Sequence, residues 1–200
     1  MVILAVLALV LGVLVGTFDV QNFLLDALVS NKDLVLYLLM FSVGMSIGLH
    51  KGIIKKIKEY HVKILIILAG IIVGTLLGGV LLSMVTKYNV GESTSVVSGL
   101  GWYSLAGVTI GNLAGAQLGS IAFLSNLMRE IFSFFTIPFI AKHFNYYSCI
   151  APAAATSEDT TLPMMMKYTN EETVVLSVIN GVLCSAVVPV LIPLCYQLKF

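Results

Sequence analysis

The sequence predicts an all-α integral membrane protein with about seven transmembrane helices, one of them discontinuous near the C-terminus. Three observations carry this. Lys and Arg number 11 and Asp and Glu 10 among 200 residues, while hydrophobic residues make up 58%; a soluble domain carries about 25% charged residues. Uncharged stretches recur at lengths that cross a bilayer core of about 30 Å. The few charges gather in short loops, with two exceptions inside apolar segments. A soluble enzyme and a disordered chain are excluded by this composition, and a net charge of +1 supplies no basic field for nucleic acid.

Met1 to Phe18 has no charge and at 1.5 Å per residue spans about 27 Å. It lacks the basic start and small-residue cleavage site of a signal peptide, so it reads as a retained helix. Leu34 to Leu49 is the second span and Ile64 to Val85 the third. Ser93 to Met128 then runs 36 residues without a charge, about 54 Å as one helix, so the chain must turn within it. The polar, flexible Gly111 to Gln117 is the place. This gives a fourth span near 95–111 and a fifth near 118–141, with a re-entrant hairpin as the competing division. Ser148 to Met166, apolar at both ends and charged in the middle, is the sixth, and Thr173 to Leu198 the seventh. The whole of 1–200 reads as a single polytopic domain.

The loop at 50–63 holds Lys51, Lys55, Lys56, Lys58 and Lys63, which the positive-inside rule assigns to the cytoplasm. The N-terminus is then cytoplasmic too. Gly44-Met45-Ser46-Ile47-Gly48 matches a hydrolase nucleophile pattern by letter, but that motif needs a strained strand-to-helix turn. Glycines four apart in an apolar span are better read as a helix-packing face. Gly70, Gly74 and Gly78 repeat the pattern, and Gly107, Gly111, Gly115 and Gly119 carry it across the expected turn. Cys149, Cys184 and Cys195 have no metal-ligand spacing and read as small apolar residues; His50, His61 and His143 stand at segment ends without forming a cluster. No metal, cofactor or enzymatic activity is expected.

Two places break the apolar rule. The first is Asn126-Leu127-Met128-Arg129-Glu130 within the fifth span, where each charge costs about 2.5–3.5 kcal/mol on insertion scales. Asn126, Glu130 and Ser133 fall on one helical stripe, with Phe132 and Phe135 pointing elsewhere. Arg129 is turned about 100° from Glu130, so the two need not pair. The second is Ala151 to Pro163, which sets hydroxyls and the acids Glu158 and Asp159 between two prolines. In lipid, irregular backbone survives only where it is buried in protein or lines a wet cavity. A discontinuous helix near the midplane fits, offering polar groups to a substrate or ion; an extramembrane loop is the alternative. Trp102 and Tyr103, among small residues, fit either an interfacial belt or the aromatic lining of a cation path.

Gly101-Trp102-Tyr103-Ser104-Leu105-Ala106-Gly107, Ile121 to Glu130, and Ala155-Thr156-Ser157-Glu158-Asp159-Thr160-Thr161-Leu162-Pro163 resemble the three signature stretches of the LysO-type lysine exporter family. Val187 to Pro193 is also similar. The resemblance implies an inner-membrane exporter of L-lysine that exchanges it for protons, with Glu130 on the family's intramembrane glutamate. Ala153-Ala154 stands where the family usually has Gly-Gly, and Glu158 where it has an apolar residue. Typical members resemble this chain only in their last two thirds, which implies a split transporter whose smaller half is a separate membrane subunit.

The expected coupling residues are Glu130, Asp159, Glu158 and Arg129. The expected substrate contacts are Thr156, Ser157, Thr160, Trp102, Tyr103 and Asn126. The lysine ammonium would sit near Glu130 and Asp159, and the α-carboxylate near Thr156, Ser157 or free amides. Arg129 would neutralise an acid or hold that carboxylate. The competing readings are a proton-coupled exchanger of another cation or organic ion, and a non-transporting assembly subunit.

Overall fold

The computed structural model describes residues 2–17, 23, 27, 30–31, 34, 37–38, 41, 45 and 60–198. The chain divides into two units, Met1–Val43 and Gly44–Phe200, and each is taken by itself. In the first, α1 covers Val2–Thr17, the uncharged stretch expected to be helical. The Gly44 and Gly48 pair, Ser46 and most of the lysine loop lie outside the described residues.

The second unit contains α2 (His61–Val85), α3 (Val90–Val97), α4 (Tyr103–Ala114) and α5 (Ala116–His143). After α5 come a 3-10 turn at Tyr146–Cys149, α6 (Ile150–Ala153), a second 3-10 turn at Ala154–Glu158, α7 (Leu162–Tyr168) and α8 (Glu171–Tyr196). Among the described residues, Val62–Val85, Ala116–His143 and Glu171–Tyr196 are long and apolar enough to cross a membrane. The protein is an all-α membrane protein.

Side-chain contacts fix the direction of each long helix. Lys63, at the start of α2, forms a salt bridge with Glu172 at the start of α8 and donates to the Tyr147 hydroxyl, just past the end of α5. Gly91, at the start of α3, sits against the carbonyls of Tyr196 and Leu198, at the end of α8. Thus α2 and α8 run parallel, and α5 runs against both.

The chain between the long helices follows from these directions. From the end of α2 it turns back as α3, whose start is closed by a capping box: the Asn89 side chain accepts from the Glu92 N–H at 2.8 Å, and Glu92 accepts from the Asn89 N–H at 3.0 Å. After 8 residues α3 stops, about 12 Å in. Leu100 (φ 50°) and Gly101 (φ 96°) reverse the path, and α4 returns to the end it left. There Gly115, at φ 91°, links α4 to α5. The polar stretch at 111–117 is therefore the turn, as its composition predicts. The segment near 95–111 is not a crossing helix but the re-entrant hairpin that the sequence left as the other possibility.

A second hairpin mirrors the first. From the end of α5 the chain rises through α6, breaks at Ala154 (φ 49°), and descends through α7 to α8. The break expected between Pro152 and Pro163 is present, but it belongs to a hairpin that returns to its own end. The two tips meet where the Ala155 N–H donates to the Leu100 carbonyl at 3.0 Å. The pair of α2 with its hairpin and the pair of α5 with its hairpin are inverted repeats, each a long helix followed by a hairpin that enters where the helix exits. The discontinuous element thus has an internal duplicate, which the sequence pattern does not reveal.

Gly107, Gly111 and Gly119 form a packing face between α4 and α5, since a Cβ on Gly119 would come within 2.7 Å of the Gly107 carbonyl oxygen. Gly70, Gly74 and Gly78 do not: a Cβ on any of them meets nothing within 4 Å, so among the described residues that face is open. Gly115 also has free space around it, so its cost on substitution is purely conformational. We expect Gly115→Ala to destabilise the fold by about 1–2 kcal/mol, read as a lowered unfolding midpoint in detergent; an unchanged midpoint would contradict the positive φ.

Candidate functional site

The site forms where the hairpin tips meet α5 and α8. The stripe on α5 is as the spacing predicts: Asn126, Glu130 and Ser133 are 2%, 1% and 0% exposed, while Phe132 and Phe135 are 57% and 72% exposed. Asn126 is committed to the first hairpin. Its Oδ1 accepts from the Gly101 N–H at 2.9 Å, and its Nδ2 donates to the Val96 carbonyl at 2.9 Å. Both are backbone groups freed by the break, and Asn126 supplies from another helix the partners that α3 lacks at its end. Its role is to position the tip.

Glu130 stands differently. Among the described residues, neither of its carboxylate oxygens meets a hydrogen-bond partner, and neither does the hydroxyl of Thr160. Thr160 and Asp159, on the second tip, lie within its electrostatic reach, and the Tyr103 hydroxyl is within reach of both acids. Tyr103 opens α4 and packs edge-on against Phe123 with ring centroids 5.2 Å apart. Trp102 is the residue before it, half-buried at the tip of the first hairpin. Asp159 is exposed and accepts from the Thr160 N–H.

Arg129 and Glu130 do not pair, as their rotation implies. Arg129 Nε donates to the Pro152 carbonyl at 3.2 Å, Nη2 to the Ala151 carbonyl at 3.0 Å and Nη1 to the Thr75 hydroxyl at 3.1 Å. It ties α2, α5 and the ascending arm of the second hairpin together. Among the described residues it forms no salt bridge; the ion pair found there is Lys63 with Glu172.

Thr156 and Ser157 are buried inside the second tip with their hydroxyl protons engaged. Thr156 Oγ1 donates to the Ala153 carbonyl at 2.9 Å, and Ser157 Oγ lies 2.6 Å from the Ala154 carbonyl and 2.8 Å from that of Ser177. They hold the loop rather than face the unpartnered Glu130. Glu158 turns to α8, where it accepts from Ser185 Oγ at 2.9 Å and rests on Gly181, whose added Cβ would lie 2.7 Å from the Glu158 Cβ. Asp159 acts on Glu158 as well as on Glu130.

Several contributors escape a reading by residue type. Ser177 Oγ donates to the Ser157 carbonyl at 2.7 Å, and Asn180 Nδ2 reaches the Ala154 carbonyl at 3.4 Å. A signal for them exists: Ser177, Gly181 and Ser185 recur every four residues in an otherwise apolar helix, a small polar stripe of the kind that packs and hydrogen-bonds in membranes. Cys149, Cys184 and Cys195 are free and buried, in keeping with the apolar reading of the sequence.

Comparison with known proteins finds relatives over most of the chain. The chain is 28% identical over 161 residues to "Lysine exporter LysO" of Escherichia coli strain K12, covering 80% of this chain and 53% of that protein. It is 32% identical over 158 residues to "Putative lysine exporter" of Haemophilus influenzae strain Rd, covering 79% of this chain and 80% of that protein. The chain therefore spans about half the length of the Escherichia coli relative. No solved structure matches. The family model described as "Lysine exporter LysO" matches residues 6–196, a span that contains both hairpins, Glu130 and the acids of the second tip, and the chain belongs to that lysine exporter family.

Proposed function

We propose that this protein exports L-lysine across the inner (plasma) membrane in exchange for protons, with Glu130 binding the two in turn. The observation that carries this reading is a carboxylate 1% exposed with both oxygens unpartnered. A buried carboxylate requires neutralisation by a cation or a proton. The side-chain ammonium of lysine supplies the first, with Asp159 and Thr160 completing its surroundings, and a proton supplies the second on the return step. The names of the relatives support lysine as the cargo. Opposed hairpins on inverted repeats support alternating access, since each tip is reached from a different end.

Orientation follows in the same reading. Lys63, Lys142 and Lys167 share the end where α2 begins, which the positive-inside rule makes cytoplasmic; Lys87 stands at the other end. The N-terminus is then cytoplasmic.

Glu130→Gln keeps shape and removes the titratable charge. We expect it to lower proton-driven lysine efflux from inverted or reconstituted vesicles by at least about a hundredfold, a loss of about 2.7 kcal/mol in transition-state terms. Proton-coupled export at the wild-type rate in this variant would overturn the assignment.

A further inference from the structure

Around the second tip stand three carboxylates on two different supports. Glu130 comes from α5, Asp159 follows the second 3-10 turn, and Glu158 leans on α8. Asp159 acts electrostatically on both of the others, so the three form one negative field. Glu130 is 1% exposed, and among the described residues both acceptor oxygens and the neighbouring Thr160 hydroxyl are without a partner. Those carboxylate oxygens can accept from a ligand that brings hydrogen-bond donors.

The groups able to receive an anion direct their hydrogen bonds away from Glu130. The protons of Thr156 and Ser157 go to backbone carbonyls. The three hydrogen bonds of Arg129 go to Pro152, Ala151 and Thr75, and its guanidinium lines a groove with Gly74, Gly78 and Val97 between α2 and α5. Glu130 instead looks toward Thr160 and Asp159. Among the described residues, several anionic acceptors with no cationic side chain paired to them match a ligand with two ammonium groups better than one that also carries a carboxylate.

We propose that this cluster accepts aliphatic α,ω-diamines as cargo alongside lysine, with one ammonium at Glu130 and the other at Glu158, and Asp159 acting on both. The inference rests on the export reading for the site's role in transport, but the cargo class comes from the donor and acceptor balance. It makes Glu158 a specificity-determining residue, since it supplies the second carboxylate.

The test is calorimetric binding of 1,5-diaminopentane, L-lysine and 6-aminohexanoate to the purified chain in detergent, followed by counterflow of the same compounds in proteoliposomes. The diamine is expected to bind within threefold of lysine or tighter. The 6-aminohexanoate ion, with one ammonium and one carboxylate, is expected to bind at least tenfold more weakly. Glu158→Gln, which is isosteric, should weaken the diamine about tenfold. If lysine binds and the diamine is more than threefold weaker, this inference fails and the export reading stands. If neither binds, both fail. Equal binding of the diamine to wild type and Glu158→Gln would remove Glu158 from the site.

Discussion

Replacing Asn126 by Leu is expected to destabilise the protein by about 2–4 kcal/mol and to abolish transport. Leu has the same number and branching of heavy atoms, so the polar atoms are the main thing removed. In the native protein the Asn126 amide satisfies the Gly101 N–H and the Val96 carbonyl, and it also bonds the Ala122 carbonyl of its own helix at 2.9 Å. The first two groups are buried, and each left without a partner costs about 1–3 kcal/mol. Polar contacts between membrane helices average less, about 0.6 kcal/mol, because the unfolded state in the membrane also finds partners. The lower end of the range is therefore the expected value. The functional loss follows because Leu100, which joins the tips through the Ala155 N–H, precedes Gly101. Thermal or denaturant unfolding in detergent checks the first part and vesicle efflux the second. Wild-type stability in Asn126→Leu would mean that the break in the first hairpin is not held this way.

Gly119→Ala is expected to cost about 3 kcal/mol, although it adds one methyl group. Its Cβ would lie 2.7 Å from the Gly107 carbonyl oxygen, 2.7 Å from the Gly111 Cα and 2.9 Å from the Gly111 nitrogen. These are backbone atoms of α4 and cannot rotate away, so the helix must shift; overpacking of this kind costs about 1–3 kcal/mol. Gly111→Ala provides the contrast. Its Cβ would meet only the Gly119 Cα, at 3.9 Å, an ordinary contact, and it gains helix propensity of up to about 1 kcal/mol. The two substitutions on facing helices should therefore differ in sign. If Gly119→Ala unfolds at the wild-type midpoint, α4 and α5 are not packed this closely.

These substitutions bear on how much of the molecule is legible in its sequence. The stripe of Asn126, Glu130 and Ser133 is, because helical periodicity sorts side chains into faces before any partner is known. That Arg129 and Glu130 need not pair is legible for the same reason; that they do not is a finding of the structure. The break near Glu158 is legible from prolines and hydroxyls that no lipid-facing helix tolerates. The roles of Thr156 and Ser157 are not. A hydroxyl in a polar loop can serve a ligand or its own backbone, and residue type does not distinguish the two. The repeated-glycine pattern was equally ambiguous: at Gly119 it marks a backbone contact, while at Gly74 it faces open space.

The sequence by itself determined that this is an apolar, helical membrane protein, that Arg129, Glu130, Glu158 and Asp159 interrupt its apolar segments, and that the chain turns near Gly115. Only the tertiary structure decided the direction of travel. An uncharged run of 36 residues satisfies the bilayer equally well as two crossings or as a hairpin followed by one crossing, since apolarity encodes burial and not direction. Contacts distant in sequence settle it: Asn126 on the freed backbone of the first tip, Gly119 against Gly107, Lys63 with Glu172, and Ala155 on Leu100. These contacts bring two opposed tips to one buried carboxylate, and no local pattern specifies that meeting.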